Sequence, residues 1–219
     1  VHGNFSSSIQ INEKELSIII NGQKIQFFDE KTKHTLKEHG INDALLIDNT
    51  GIFKNKEELS QHLQIDQINR VLLTAPGRGI ANIVYGVNHQ KIDIDSDLII
   101  SAASCTTNAI APILKVISEH NNIEKGHIET IHAYTNDQNL LDNMHSKNRR
   151  GRSAAVNMVI TSTGAGKAVT KVIPNLLNKL TANAIRVPTP NGSLAIINLD
   201  IEETISSETI KELMRTAAL

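Results

Sequence analysis

The residue with the most chemical potential in this chain is its single cysteine, Cys105. The run Ser101-Ala102-Ala103-Ser104-Cys105-Thr106-Thr107-Asn108 sets it between a short apolar, strand-like segment (Leu98 to Ser101) and a helix-like one (Thr106 to Glu119). A thiol at the start of a helix meets the positive end of the macrodipole and backbone N–H groups that have no partner inside the helix. Both favour the nucleophilic thiolate. The hydroxyls of Ser104, Thr106 and Thr107 either cap that helix or present donors to an anion or oxyanion. A lone cysteine is most often a small buried hydrophobe, so the flanking residues decide which description applies.

Composition bounds the alternatives. The 219 residues suffice for one large domain or two small ones. With 22 basic and 23 acidic side chains and a net charge of −1, no electrostatic case arises for nucleic acid or an anionic membrane. A single cysteine rules out an internal disulfide and, with no signal-like apolar start, favours a cytoplasmic protein. Apolar runs such as Ile18-Ile19-Ile20 and Leu98-Ile99-Ile100 are too short to span a bilayer. No metal site is called for. The chain opens at Val1 without Met and closes on Ala217-Ala218-Leu219 within a helix-like pattern, which reads as a piece of a longer protein.

The elements that must position the cysteine follow from local pattern. Asn21-Gly22 between the β-rich runs Ser17–Ile20 and Lys24–Phe28 predicts a tight hairpin. Ala44–Ile47, Arg70–Ala75 and Leu98–Ser101 are uninterrupted apolar strands, the signature of a sheet covered on both faces. Asn55 and Glu58 form a capping box opening a helix over Lys56–Leu63. Beyond the cysteine helix, Gly126–Tyr134 alternates, with Ile128, Thr130 and His132 on one face. Residues 136–152 make a long polar loop. Gly166–Leu180 reads as a helix interrupted at Pro174, Ala184–Val187 and Ser193–Glu202 as strands, and Thr209–Leu219 as a helix. The pattern predicts an α/β first half and an α+β second half.

Ser104-Cys105-Thr106-Thr107-Asn108 resembles the active-site signature of the glyceraldehyde-3-phosphate dehydrogenase family. Gly86-Val87-Asn88-His89, Ser162-Thr163-Gly164-Ala165, Lys171-Val172-Ile173-Pro174 and Arg186-Val187-Pro188-Thr189-Pro190-Asn191 resemble further family blocks, in family order and across essentially the whole chain. The resemblance implies the C-terminal part of a Rossmann-type NAD-binding domain (residues 1–104) followed by an α+β catalytic domain (105–219), both incomplete, with a homotetramer at full length. It implies oxidation of glyceraldehyde 3-phosphate with inorganic phosphate and NAD or NADP. The nearest alternatives are an erythrose-4-phosphate dehydrogenase, which shares the cysteine and histidine but releases an acid, and a truncated non-catalytic homologue.

Residue by residue, Cys105 resembles the nucleophile that forms a thiohemiacetal and then a thioester, and His132 the acid–base group. Ser104, Thr106, Thr163 and Gly164 resemble the site for attacking inorganic phosphate; Thr163-Gly164 precedes a helix whose N–H groups can face an anion. Thr135, Asp137 and Arg186 resemble the site for the substrate's own phosphate, Arg186 supplying a guanidinium fork, and Arg150 falls where the family places a basic residue near both. Thr50, Gly51 and Thr74 resemble strand ends lining the cofactor crevice. The Gly-rich first βα turn and the ribose-binding acid that follows it are missing, so these residues alone should bind a dinucleotide poorly. Three departures stand out. Asp29-Glu30-Lys31-Thr32 lacks the family's arginine, Gly192 replaces an apolar residue, and Gly166 sits inside a helix.

Overall fold

A computed structural model describes residues 5–28 and 36–218, and the Asp29–Thr32 departure lies outside them. The chain opens with an antiparallel sheet, β1 (Ile9–Asn12), β2 (Ser17–Ile20) and β3 (Gln23–Gln26). Asn21 (φ 51°) and Gly22 (φ 80°) both take left-handed backbone at the β2–β3 turn, the conformation that Asn-Gly supplies at least cost. β1, which no turn signal announces, is held by the cross-strand pairs Ile9–Ile20 and Ile11–Ile18.

Four parallel strands follow: β4 (Ala44–Asp48), β5 (Ile68–Leu73), β6 (Ala81–Asn82) and β7 (Ile99–Ser101), in spatial order β4-β5-β7-β6. Helix α1 runs over Lys56–Ser60 and tightens into a 3₁₀ turn at Gln61–Gln64, so the helix predicted to Leu63 is α-helical only in its first half. Its capping box is complete. Asn55 Oδ1 accepts from Glu58 N at 2.9 Å, and Glu58 Oε2 accepts from Asn55 N at 3.2 Å. Leu59, Val71 and Leu73 are fully buried beneath it. The prediction of a sheet covered on both faces fails at β4. There Leu45 and Ile47 are more than half exposed, because β4 is the edge strand and no element among the described residues packs on that side.

The second half is built on α2 (Cys105–His120), β8 (Ile123–Ala133), β9 (Val159–Thr161), α3 (Ala165–Val172), β10 (Leu180–Val187), β11 (Leu194–Ile201) and α4 (Ser207–Ala217). The sheet order is β11-β8-β10-β9; β8 and β10 run parallel, and the outer pairs are antiparallel. The helix predicted to reach Leu180 stops at Val172. Pro174 has no N–H to donate and drives Ile173 out of the helical region (φ −126°, ψ 83°), and Leu180 opens β10 opposite Gly126. Ile110, Leu114, Ile123, Ile128 and Val169 form an apolar core between α2, α3 and β8. Gly126 lets β8 and β11 approach closely there, since a Cβ would lie 3.1 Å from Asn198 O and would push the Leu199 and Leu180 side chains aside. Gly192 adopts φ 83° in the β10–β11 turn, where glycine is favoured over the apolar residue it replaces. The mixed α/β class expected from the sequence is the class observed. Among the described residues no helix is long and apolar enough to cross a membrane.

Candidate active site

The turn from β7 into α2 explains the use of each residue around Cys105. Ala103, buried and without a glycine's freedom, is held at φ 58°. Such a conformation costs about 1–3 kcal/mol and persists only where neighbours over-determine it. They do so here. Ser101 Oγ accepts from Ala103 N at 3.0 Å and donates to Ala75 O at 2.6 Å. Asn108 Nδ2 donates to Ala102 O at 2.7 Å and to Ser104 O at 2.9 Å. Ser104 is the N-cap, its Oγ accepting from Thr107 N at 3.1 Å, while Thr107 is fully buried against it. Ser104, Thr107 and Asn108 thus build the turn, which leaves the Cys105 thiol exposed on the first helical residue with Thr106 Oγ1 3.9 Å from it.

β8 carries His132 to the same point. Cys105 Sγ lies 3.7 Å from His132 Nε2. Arg186 of β10 is the register partner of His132 in the parallel ladder. Its Nη1 donates to Ala133 O at 2.8 Å and sits 2.9 Å from His132 Nδ1, and its Nε is buried with no hydrogen-bond partner among the described residues. Burial lowers the Arg186 guanidinium from its ordinary value, with Cys105 opposing.

These groups open onto a cavity of about 970 Å³, walled on one side by residues 75–78 after β5 and on the other by the start of α3. Among the described residues its lining includes Lys and Arg but no Asp or Glu. Arg150, only 7% exposed, donates from Nε to Thr161 Oγ1 at 3.0 Å and pairs with the carboxylate of Asp137, which also takes Lys147 at 3.0 Å. Burial, and then the charge of Arg186, lower the Arg150 guanidinium. At the head of α3, Thr163 Oγ1 accepts from Ala165 N at 3.1 Å, and Gly164 leaves open space where a Cβ would stand.

The structure therefore gathers Ser104, Cys105, Thr106, His132, Arg150, Thr163, Gly164 and Arg186 around one cavity. Thr135 and Asp137 are not on its wall; Asp137 stands behind Arg150 as its counter-ion. Thr50, Gly51 and Thr74 are also off the wall. The Thr50 hydroxyl donates to Asp48 Oδ1 at 2.9 Å and the Thr74 hydroxyl to Asp48 O at 3.1 Å. Asp48, 2% exposed, also meets the part-buried His62 at Nε2, 3.0 Å away, a contact that the sequence pattern does not reveal. Lys54, Arg78, Lys167 and Lys171 are cavity residues that sequence inspection misses. The i,i+4 spacing of Lys167 and Lys171 is the signal that marks two cations on one helix face. Lys54 and Arg78 are brought together by the isolated bridge between Asn55 and Arg78 and the Arg78 N–H to Lys54 O bond.

Residues 104–219 match the family described as the glyceraldehyde 3-phosphate dehydrogenase C-terminal domain. A Pseudomonas aeruginosa protein named glyceraldehyde-3-phosphate dehydrogenase-like protein is 52% identical over 222 residues, covering 100% of this chain and 48% of its own length. Glyceraldehyde-3-phosphate dehydrogenase 2 of Trichormus variabilis is 42% identical over 212 residues, covering 96% of this chain and 63% of its own. Glyceraldehyde-3-phosphate dehydrogenase 1 of Bacillus cereus is 37% identical over 219 residues, covering 100% and 65%. The chain spans between about half and just under two thirds of the length of these relatives.

Proposed function

Because the chain belongs to the glyceraldehyde-3-phosphate dehydrogenase family, we propose that it forms the catalytic half of an enzyme that oxidises glyceraldehyde 3-phosphate and traps the product as an acyl phosphate. The observation that carries this proposal is the Cys105–His132 contact at the mouth of a cavity lined by cations and, among the described residues, by no carboxylate. An exposed thiol beside an imidazole suits covalent capture of a carbonyl. A wall of guanidinium and ammonium groups suits a doubly phosphorylated reaction centre.

The steps close chemically. Cys105 Sγ, as thiolate, bonds to the aldehyde carbon, and the carbonyl π pair moves to oxygen. The oxyanion takes a proton from His132 Nε2. A nicotinamide dinucleotide, NAD in this proposal, supplies the acceptor for the hydride that leaves that carbon. His132 Nε2 recovers the O–H proton as the thioester carbonyl forms. An oxygen of inorganic phosphate then bonds to the acyl carbon, the C–S bond breaks, and Cys105 departs as thiolate. Arg186 holds the substrate phosphate. Arg150, Thr163 and the N-terminus of α3 hold the attacking phosphate.

The cofactor fits one end of this chain. Thr50, Gly51, Thr74 and Ala75 all follow parallel strands at their carboxyl ends, where ligands of open α/β sheets bind, and Gly51 presents open space. Residues 1–104 are assigned to the dinucleotide-binding part and 105–219 to the catalytic part, and the change from a parallel to a mixed sheet supports that division. The exposed Leu45 and Ile47 support assembly with further protein surface, and a cytoplasmic homotetramer is the form proposed.

The test is a steady-state assay of the complete gene product with NAD and glyceraldehyde 3-phosphate. Reduction of NAD should require inorganic phosphate and yield an acyl phosphate. Phosphate-independent turnover to a free acid would overturn the proposal.

A further inference from the structure

The cavity carries more positive charge than the reaction uses. Arg150 and Arg186 serve the two phosphates of the proposed chemistry, and Lys147 is paired with Asp137. Lys54, Arg78, Lys167 and Lys171 remain. All are exposed and on the wall, and none makes an ion pair or a side-chain hydrogen bond among the described residues. Lys54 and Glu58 interact by charge without pairing. By contrast Lys24, Lys125 and Lys211 each hold a carboxylate. The chain as a whole has a net charge of −1, so the excess is local. Lys167 and Lys171 also stand against helix preference. Lys167 lies in the first turn of α3, at the positive end of its dipole, and repels Lys171 one turn on, while the other face of the helix buries Val169 and Val172. Arg78 comes from the facing wall, fixed beside Lys54 by the 2.9 Å bond from its N–H to Lys54 O. Like charges in a concave site focus the field on whatever anion enters. A single phosphate at the head of α3 leaves Lys171 and the facing wall unneutralised.

We propose that Lys54, Arg78, Lys167 and Lys171 form a second anion site, for a chain of linked phosphates: an inorganic oligophosphate or the triphosphate tail of a nucleotide. Three of the four groups are ammonium ions on flexible stems, which can follow successive phosphate oxygens without a fixed geometry. Among the described residues the lining has no Phe, Tyr or Trp on which a base could stack, so the phosphates and not the base are recognised. The volume of about 970 Å³ is at the large end of small-molecule pockets, and a three-carbon phosphate is at the small end of their ligands. The four cations and the Thr163-Gly164 turn open onto the same cavity, so a bound chain excludes inorganic phosphate. That exclusion rests on the function proposed above; binding of the chain does not.

The test is isothermal titration of the complete gene product with sodium tripolyphosphate in buffer free of divalent cations. Saturable binding at one site per chain is expected. The double variant Lys167→Gln, Lys171→Gln should weaken it about tenfold or more, as expected for lost charge-assisted bonds, and Arg78→Gln on the facing wall should weaken it as well. The double variant Lys24→Gln, Lys211→Gln removes the same charge from exposed positions off the cavity and should leave the affinity unchanged. ATP separates the two sources. Binding equal to that of tripolyphosphate assigns the site to any triphosphate tail, and tripolyphosphate binding without ATP binding assigns it to the free chain. ATP binding tighter than tripolyphosphate would mean that the base is read, and would overturn the proposal. So would the absence of saturable binding, equal losses in the cavity and control variants, or a loss confined to Arg186→Met. The readout does not depend on turnover, so an enzyme that failed the assay above but bound tripolyphosphate through these lysines would separate the two ideas.

Discussion

Cys105 Sγ and His132 Nε2 lie 3.7 Å apart, although 27 residues separate them in the chain. The thiol is fixed by the N-terminal turn of α2 and the imidazole by β8, so the pair depends on how the helix packs on the sheet through Ile110, Leu114 and Ile128. A rigid scaffold of this kind holds a nucleophile and its acid–base partner in register without using either side chain for folding.

His132→Asn should lower turnover by about 10² to 10⁴-fold, the usual contribution of an acid–base group, with a much smaller change in KM. Steady-state kinetics of the complete gene product across pH is the measurement. An unchanged turnover and pH–rate profile would remove His132 from the proton path.

Asp137→Asn removes the carboxylate that neutralises Arg150. Arg150 is buried and Asp137 about half exposed. The expected stability loss is therefore about 1 kcal/mol, below the range for breaking a fully buried pair. KM for inorganic phosphate should change several-fold while KM for the aldehyde changes less, because Arg150 and not Asp137 faces the cavity. Chemical denaturation and a two-substrate kinetic matrix read the two effects separately. Equal effects on both KM values would contradict the placement.

Gly166→Ala should stabilise the protein by about 0.4–1 kcal/mol, since glycine inside a helix is costly and alanine narrows the unfolded ensemble. The added Cβ would stand 3.5 Å from Leu180 O and 3.6 Å from Ala182 Cβ, ordinary contact distances. A fall in the denaturation midpoint would show that α3 cannot accept a methyl group against β10.

Glu58 links the capping box to pH. N–H bonds from Lys54 and Asn55 hold its carboxyl below the ordinary value of 4.5, although burial opposes them. A depressed carboxylate stabilises the fold above its unfolded value, and that contribution is lost as pH falls through the lower folded value. Glu58→Gln, which mimics the protonated acid, should therefore flatten the acid limb of the stability–pH curve by lowering neutral-pH stability toward its acid-pH value. An unaltered acid limb would contradict the assignment.

What the sequence revealed was mainly local. Asn21-Gly22, the Asn55–Glu58 box and Ser104-Cys105-Thr106-Thr107-Asn108 each carry their structure within a few residues, and each formed as its pattern predicted. The pairing of Arg186 with His132 lies 54 residues apart and is settled by strand register, which periodicity does not encode. The short strands β6 and β9, of two and three residues, have too few positions to show alternation. Thr50 and Thr74 are legible as strand ends, but the Thr50 hydroxyl turns to the buried Asp48 carboxylate and the Thr74 hydroxyl to the Asp48 backbone carbonyl, partners that a strand end does not reveal.

The most direct test mixes the complete gene product with NAD and glyceraldehyde 3-phosphate in the absence of inorganic phosphate, then analyses the quenched protein by mass spectrometry. A burst of reduced NAD matching the number of active sites is expected, with a phosphoglyceryl adduct on the peptide containing Cys105 and loss of that adduct when phosphate is added. Sustained turnover with no burst, or an adduct on any other residue, would contradict it.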